Sequence, residues 1–228
     1  MSVSKSAILT VLAGAALTAV PGAWATPAPL TPGGSVSPVP TYSSSGTPTV
    51  TVLGETGEQA VTEGDVTVNF EEFALDTSLN PRAVTFAFLI TTSNNPGSLS
   101  ATLPGYAGFK TSVESCDPFT ATTVCGTSTG SAARSGGTGD VLTFSMLGTT
   151  PVSAGPLTLY ASNAYGIFTD APHFTDPAVT VNDDGSSFVF KGLGPTTSTA
   201  VPEPATLALF ALGLSGAALA RRRRSAAV

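Results

Sequence analysis

One short pattern in the sequence could support catalysis by a nucleophile. Gly126–Gly130 has the Gly-x-Ser-x-Gly spacing of a hydrolase nucleophile elbow, and Asp140 or Asp170 followed by His173 would complete the chain order of a triad. The elbow needs a strand before Ser128 and a helix after it, and the sequence indicates neither. A chain with 24 glycines and many serines also matches so short a pattern by chance. We therefore expect no catalytic serine and no enzyme.

The single histidine and two neighbouring aspartates are the candidates for metal binding. His173 lies between Asp170 and Asp176, but one imidazole cannot form the usual clusters, so we expect a loop histidine hydrogen-bonded to an aspartate. Asp183 and Asp184 could help to hold calcium through oxygen ligands. A tight turn explains them more simply, because Asn, Asp and Gly are preferred there and the EF-hand spacing is absent. We expect no resident metal and no cofactor.

Two further groups bear on sugar chemistry. Glu71 and Glu72 are adjacent, and neighbours on a strand point to opposite faces, so they cannot form the facing carboxylate pair of a glycosidase. A carbohydrate-binding module would need exposed rings, and the predicted loops offer chiefly Tyr106, Phe109 and Tyr165. A carbohydrate- or calcium-binding module therefore stands as the alternative to a protein without a ligand.

The C-terminal region combines an apolar run with a basic cluster. Ala205–Ala220 contains 16 residues and no charge. As a helix it spans roughly 24 Å, slightly less than the hydrocarbon core of about 30 Å, so a thin or compressed bilayer would accommodate it. The arginines that follow stay on the cytoplasmic side and stop translocation: Arg221, Arg222, Arg223 and Arg224. The sequence predicts a transmembrane helix with the preceding chain outside.

A proline-flanked acid precedes the predicted helix. Val201 and Glu203 each come before a proline, which favours extended backbone, while Pro204 suits the first turn of a helix. An extended, stiff segment at the membrane surface is the form of substrate that a protease binds. A plain stop-transfer segment would also show apolar residues followed by arginines, but it does not need this element.

Residues 201–228 together resemble the PEP-CTERM sorting signal of exopolysaccharide-producing Gram-negative bacteria. That signal consists of Pro-Glu-Pro, a short transmembrane stretch and a terminal basic cluster, and all three are present in that order. The resemblance implies processing by an exosortase, a membrane cysteine transpeptidase that recognises Pro202, Glu203 and Pro204. It also implies passage through the inner membrane, transient anchoring there, and then a place at the cell surface or outside the cell.

The N-terminal end has the pattern of a secretion signal. Lys5 precedes an apolar segment, Ala7–Val20, and Ala23 and Ala25 place small residues at the two positions that signal peptidase requires. We expect a signal peptide over 1–25 that is cleaved after Ala25, and not a buried core helix.

Export bears on the two cysteines. Cys116 and Cys125 lie nine positions apart, and an oxidising compartment favours a disulfide between them. A free pair or a metal site is the other reading, although two thiols without a clustered histidine make a poor zinc site.

The exported part, residues 26–204, is acidic. Four basic residues stand against all 15 acidic residues, which gives a net charge of −11. Binding to nucleic acid or to an anionic membrane surface is therefore disfavoured. We expect exosortase, signal peptidase and extracellular polysaccharide as partners, and the inner membrane before processing.

The elements between these ends are predicted from alternating apolar residues. Period-two patterns recur at Val66–Phe70, Val84–Thr91, Leu99–Leu103, Val141–Leu147, Leu157–Ser162, Ala178–Asn182 and Ser187–Lys191. Turn residues separate these runs, and none has sustained helical spacing. Seven to ten short strands predict an all-β chain with an antiparallel β-sandwich, with a jelly roll as the alternative.

The boundaries follow from where this pattern begins and ends. We expect a disordered or irregular lead over 26–48, the β-sandwich domain over 49–191 and a linker over 192–200, before the sorting signal at 201–228. The segment Gly126–Gly139 is predicted to be a long mobile loop. The sequence thus indicates a non-catalytic exported protein of the cell surface or extracellular matrix.

Overall fold

The computed structural model describes residues 27–37, 39, 50–78, 80–116, 130–146, 149–154 and 157–198. All regular elements in these ranges are β-strands. The described ranges contain no helix that is long and apolar enough to cross a bilayer. The predicted signal helix over 1–25 and the predicted transmembrane helix over 205–220 lie outside them.

The described residues form 17 strands. They are β1 Ala28–Pro29, β2 Ser35–Val36, β3 Val50–Glu55, β4 Gln59–Glu63, β5 Val66–Thr77, β6 Thr85–Thr92, β7 Leu99–Leu103, β8 Thr111–Cys116, β9 Ser131–Arg134, β10 Leu142–Met146, β11 Thr150–Ala154, β12 Leu157–Ala161, β13 Ala164–Thr169, β14 His173–Thr175, β15 Ala178–Asp183, β16 Ser186–Lys191 and β17 Gly194–Thr196.

These strands form two large sheets and one small one. The first sheet has nine strands, in the order β1-β8-β13-β6-β12-β11, with β5 also paired to β6 and with β3 and β4 paired to β5. The second sheet has six strands, in the order β16-β15-β7-β10-β9-β2, and β14 pairs with β17. All of these pairs are antiparallel. The prediction of an all-β chain with antiparallel sheets is confirmed.

The two large sheets pack against each other through aromatic side chains. Phe88 of β6 meets Phe144 of β10 with ring centroids 5.1 Å apart, and Phe70 of β5 stacks on Phe190 of β16 at 5.5 Å. All four rings are buried within one apolar cluster that draws on both sheets. Each such ring removes roughly 150–250 Å² from water, so these contacts hold the sheets together.

The seven alternating runs predicted from the sequence all contain a strand. The prediction for β7 has the observed bounds, and the strands in the other six runs are β5, β6, β10, β12, β15 and β16. The expected number of strands was too low. Of the ten strands outside the seven runs, β1, β2, β14 and β17 have only two or three residues and are too short to show an alternation, whereas the other six have four to six residues and were not predicted.

The sheets extend beyond the predicted domain boundaries at both ends. In the predicted lead, β1 pairs with β8 and β2 pairs with β9, and Leu30 and Val39 are each 1% exposed. In the predicted linker, β17 pairs with β14 and Leu193 is buried. The lead and the linker are held by backbone pairing with other strands and by single buried apolar side chains. Neither kind of interaction produces a periodic pattern in the sequence.

The segment predicted as a mobile loop contains strand β9, which pairs with β10 and β2. The last residue of β9, Arg134, is buried and donates hydrogen bonds to four backbone carbonyls. Nε donates to Gly139 O at 2.7 Å, Nη1 to Leu30 O at 3.1 Å, and Nη2 to Tyr106 O and Phe109 O at 2.5 and 2.9 Å. The loop prediction is therefore wrong for Ser131–Arg134, because a distant set of carbonyls fixes the arginine.

Candidate functional site

The expected arrangement of a loop histidine hydrogen-bonded to an aspartate is not found at His173. His173 begins β14 and pairs with Thr196 of β17, so it lies in a strand and not in a loop. The carboxylate of Asp170 accepts a hydrogen bond from Lys110 N at 2.8 Å, and Asp176 forms an exposed ion pair with Lys191 at 2.7 Å. The two flanking aspartates therefore hold the backbone and the surface around the histidine.

The residues that follow the Gly-x-Ser-x-Gly pattern do not have the secondary structure of a nucleophile elbow. Gly130 is followed by strand β9, where a nucleophile elbow needs a helix. Asp140 accepts a hydrogen bond from Gly105 N at 3.2 Å and so fixes a turn. Ser128 lies outside the described residues, and the absence of enzyme activity stays a prediction.

The two adjacent glutamates of β5 point to opposite faces of the nine-stranded sheet, as expected. Glu71 lies on the outer face, in a shallow depression that Glu58, Asn69 and Thr91 help to line. Burial raises its pKa to about 6, and the negative charges of Glu58 and Glu55 add to the effect. The glutamates do not share a cleft and cannot act as a pair.

Glu72 lies on the opposite face, inside the core. Its side chain is fully buried, and Oε2 accepts a hydrogen bond from Leu193 N at 2.8 Å, while Oε1 has no partner within the described structure. Burial raises its pKa to about 8, against the opposing effect of the Leu193 N–H. The hydroxyl of Tyr106 is also buried without a partner there, and burial together with Glu72 raises its pKa.

A third carboxyl group with a raised pKa lies far from Glu71 on the same outer face. Burial raises the pKa of Glu114, on β8, to about 8, and its side chain lies against Gly166 of β13. The order β8-β13-β6-β5 puts three strand spacings, about 14 Å of backbone, between the strands that carry Glu114 and Glu71. Glycosidase carboxyls face each other across one cleft, and Glu114 does not line the depression that holds Glu71.

Asp184 forms the tight turn that the sequence predicts. Asp184 and Gly185 have φ values of 48° and 92° and connect β15 to β16, where Asp183 lies opposite Ser186. Two central residues with positive φ are typical of a type I′ hairpin. The Asp184 carboxylate accepts hydrogen bonds from Gly97 N at 3.0 Å and from Ser98 N at 2.7 Å, and these bonds lower its pKa.

Asp183 belongs to a different group, which we call the end cluster: Thr92, Asn94 and Asp183. Asp183 is 2% exposed and its Oδ2 lies 2.6 Å from Thr92 Oγ1, which in turn lies 2.5 Å from Asn94 Oδ1. Asp183 Oδ1 has no partner within the described structure. No group of three or more His, Cys, Asp or Glu side chains that could bind a metal occurs in the ranges described above.

The aromatic residues considered for sugar binding are largely unavailable. Tyr106 and Tyr165 are 0% and 2% exposed, and both rings take part in the core, against Phe86 and Phe88 respectively. Tyr106 lies in a loop, as predicted, but is buried there, whereas the loop prediction for Tyr165 is wrong because it lies in β13. Only Phe109 of the three is partly exposed.

The sequence did not predict the raised pKa of Glu114 or the contacts of Thr92 and Asn94, nor the burial of Glu72 or the hydrogen bonds of Arg134. Glu72 did leave a signal, because it occupies an apolar phase of β5 with Phe70 before it and Ala74 after it. Arg134 left none, because its four acceptors come from three separate segments of the chain.

Several predicted site residues lie outside the described residues. They are the signal peptidase residues Ala23 and Ala25, the tripeptide Pro202, Glu203 and Pro204, the arginines Arg221 to Arg224, and Cys125. Cys116 ends strand β8, and its disulfide with Cys125 stays a prediction.

Comparison with known proteins identifies the C-terminal segment. A family model described as the PEP-CTERM protein-sorting motif matches residues 200–224. No curated protein matches the chain, and no solved structure matches it either. The chain carries a PEP-CTERM sorting motif, which indicates an exported protein that is anchored transiently in the membrane and sorted by an exosortase.

Proposed function

We propose that this protein is a non-catalytic β-sandwich protein of the cell surface or extracellular polysaccharide matrix, which an exosortase processes at Pro202-Glu203-Pro204. The observation that carries the proposal is the match of residues 200–224 to the sorting motif. The predicted signal peptide at the other end of the sequence gives the matching route out of the cytoplasm.

The folded part supports a structural role. Its buried polar side chains serve the fold: Arg134 binds four carbonyls, Glu72 binds the backbone of Leu193, and Thr169 donates to Val84 O at 2.8 Å. The carboxyl groups with raised pKa are on opposite faces of one sheet or on strands whose backbones are about 14 Å apart. This separation does not favour acid–base chemistry between them.

The charge of the exported part supports release from the membrane. Its net charge of −11 is repelled by anionic headgroups, so after removal of the helix no strong attraction keeps it at the bilayer. The proposal therefore places the mature protein outside the inner membrane and at or beyond the cell surface.

A carbohydrate-binding module has less support, because Tyr106 and Tyr165 are in the core, and Phe70, the aromatic residue that lines the depression beside Glu71, is buried as well. A glycan array would still test this alternative directly. Strong, saturable binding to one class of glycan would replace the proposal of a structural role by that of a carbohydrate-binding module.

The sorting step is tested by expressing the full chain in a host with and without its exosortase. Mass spectrometry then gives the mature C-terminus. We expect removal of the tail only where the exosortase is present, and loss of that processing in Glu203→Ala. Glu63→Ala, at an exposed glutamate of β4, is the matched control and should be processed normally. A tail that is removed equally in all four samples would refute exosortase recognition.

A further inference from the structure

The end cluster joins the two large sheets at one end of the fold. Thr92 is the last residue of β6 in the nine-stranded sheet, and Asp183 is the last residue of β15 in the six-stranded sheet. Both side chains are on the core side, since Thr92 lies in phase with Ile90 and Asp183 with Val181, and all four residues are buried. The 2.6 Å contact between Asp183 Oδ2 and Thr92 Oγ1 therefore crosses from one sheet to the other.

The contact between Asp183 and Thr92 has more acceptor oxygens than it has hydrogens for them to accept. Thr92 Oγ1 has one hydrogen, but two acceptor oxygens lie within 2.6 Å of it, Asp183 Oδ2 and Asn94 Oδ1. The second oxygen of the Asp183 carboxylate has no partner within the described structure. A carboxylate buried to this degree ordinarily has several donors or a cation beside it.

The basic side chains of the described residues do not supply that cation. The ion pair found there joins Lys191 to Asp176, and the guanidinium of Arg134 donates to backbone carbonyls. The neighbouring acid Asp184 has N–H partners from Gly97 and Ser98, whereas Asp183 has the single Thr92 hydroxyl. Asp183 is thus the carboxylate with the least compensation in this part of the fold.

We propose that the end cluster binds a calcium ion, which links the nine-stranded sheet to the six-stranded sheet. The Asp183 carboxylate, the Thr92 hydroxyl and the Asn94 amide oxygen are uncharged or anionic oxygen ligands of the kind that Ca²⁺ prefers. Asn94 is only partly buried, so the cluster is accessible to solvent on that side. Water fills the remaining positions of the six to eight that Ca²⁺ takes.

The surrounding loop supports this assignment. Asp184 binds Gly97 N and Ser98 N, which ties the β6–β7 connection to the β15–β16 turn and keeps Asn94 beside Thr92. With one carboxylate as the charged ligand, we expect a dissociation constant of about 10⁻⁴–10⁻³ M, the range of extracellular calcium modules. Mg²⁺ should bind more weakly, because it demands near-octahedral geometry and retains its water.

One arrangement of the same residues needs no cation. If the Asn94 amide is rotated so that Nδ2 donates to Thr92 Oγ1, the hydroxyl can donate to Asp183 and each short contact has its hydrogen. The two arrangements differ in one measurable property. The cation site predicts a thermal stability that depends on calcium, and the rotated amide predicts one that does not.

The test uses the full-length chain, purified in detergent from cells without exosortase and freed of metal with a chelator. Thermal unfolding is followed by circular dichroism in chelator, in CaCl₂ and in MgCl₂. We expect calcium at about ten times its dissociation constant to raise Tm by about 3–6 °C, and magnesium to give less than half of this rise. Terbium luminescence gives a second readout, because Tyr160 lies directly opposite Thr92 in the sheet and can sensitise a nearby ion.

The matched pair of variants is Asp183→Asn and Asp176→Asn. Asp183→Asn should raise Tm in chelator, because it removes a poorly compensated buried charge, and should abolish the response to calcium. Asp176→Asn should keep that response, since Asp176 is exposed and precedes β15 at the end opposite Asp183. Should Asp183→Asn fail to fold, Thr92→Val decides in its place: loss of the calcium response supports the site.

Two results overturn the proposal. A wild-type Tm that does not change with calcium points to the rotated amide. A calcium response that persists in Asp183→Asn or in Thr92→Val shows that the ion binds elsewhere on this acidic protein. These outcomes do not depend on exosortase processing. A failure of the calcium-site proposal therefore leaves the sorting proposal intact, and the reverse also holds.

Discussion

Replacing Glu72 by Gln should make the stability of the folded domain much less dependent on pH between about 4.5 and 8. The glutamate is fully buried in the core, and burial raises its pKa from 4.5 to about 8. In the unfolded chain the same group ionises near 4.5, so unfolding releases its proton between these two pH values. The contribution of the neutral acid to stability is therefore complete below pH 4.5 and is lost as the pH rises through 8.

The size of this loss follows from the two pKa values. Relative to low pH, the ionisation of Glu72 lowers the free energy of unfolding by about 1 kcal/mol at pH 5, about 3 kcal/mol at pH 7 and about 5 kcal/mol at pH 9. A domain of this kind has a total stability of about 5–15 kcal/mol, so the effect is large. Glutamine has nearly the same shape, retains an oxygen for the Leu193 N–H and does not ionise.

The assay is urea unfolding of wild type and Glu72→Gln at pH 5, 7 and 9, followed by far-UV circular dichroism. Glu71 and Glu114 titrate in both proteins, so the difference between the two proteins isolates Glu72. We expect the variant to gain about 4 kcal/mol on wild type between pH 5 and pH 9. Glu63→Gln, at an exposed position of β4, controls for the loss of one negative charge.

A stability difference between wild type and Glu72→Gln that stays constant from pH 5 to pH 9 would refute the reasoning. It would mean that Glu72 ionises in the folded protein as it does in the unfolded chain. Water would then have to reach the carboxyl group, and the core would be more open around Leu193 than its 4% exposure indicates.

The remaining predictions concern packing and hydrogen bonds, and each is measured by urea unfolding at constant pH. Arg134→Ala should cost about 3–5 kcal/mol, because four carbonyls lose a charged donor, and Arg134→Lys should restore less than half of this. A cost below 1 kcal/mol for Arg134→Ala would contradict this role. Gly192→Ala should cost about 1–3 kcal/mol, since the added methyl group meets Val179, whereas Gly136→Ala, which meets nothing within 4 Å, should stay within about 0.5 kcal/mol. Equal effects at the two glycines would show that the fold adapts around Val179.

Local patterns were sufficient wherever neighbours along the chain decide the structure. The alternation in Leu99–Leu103 predicted the observed strand, since side chains two residues apart share a face and one face of this strand is buried. Asp184-Gly185 predicted a tight turn, because these residues adopt positive φ readily. The sorting motif was equally readable, because the order of three short segments defines it.

Other features were decided by residues that meet only after folding. Strand β17 forms because β14 lies beside it, and nothing within Gly194–Thr196 signals a strand. The fixed position of Arg134 depends on carbonyls up to 104 residues away, and the raised pKa of Glu72 depends on packing near Leu193, 121 residues away.

The same division holds for the candidate calcium site. Asp183 and Asp184 are neighbours of identical type, yet one faces Thr92 across the core and the other accepts hydrogen bonds from Gly97 and Ser98. The sequence by itself determined seven of the 17 described strands, the turn and the sorting address, because these depend on the order and spacing of nearby residues. Only the tertiary structure decided which carboxyl groups are buried and which partners they meet, because burial depends on how the two sheets close over each other.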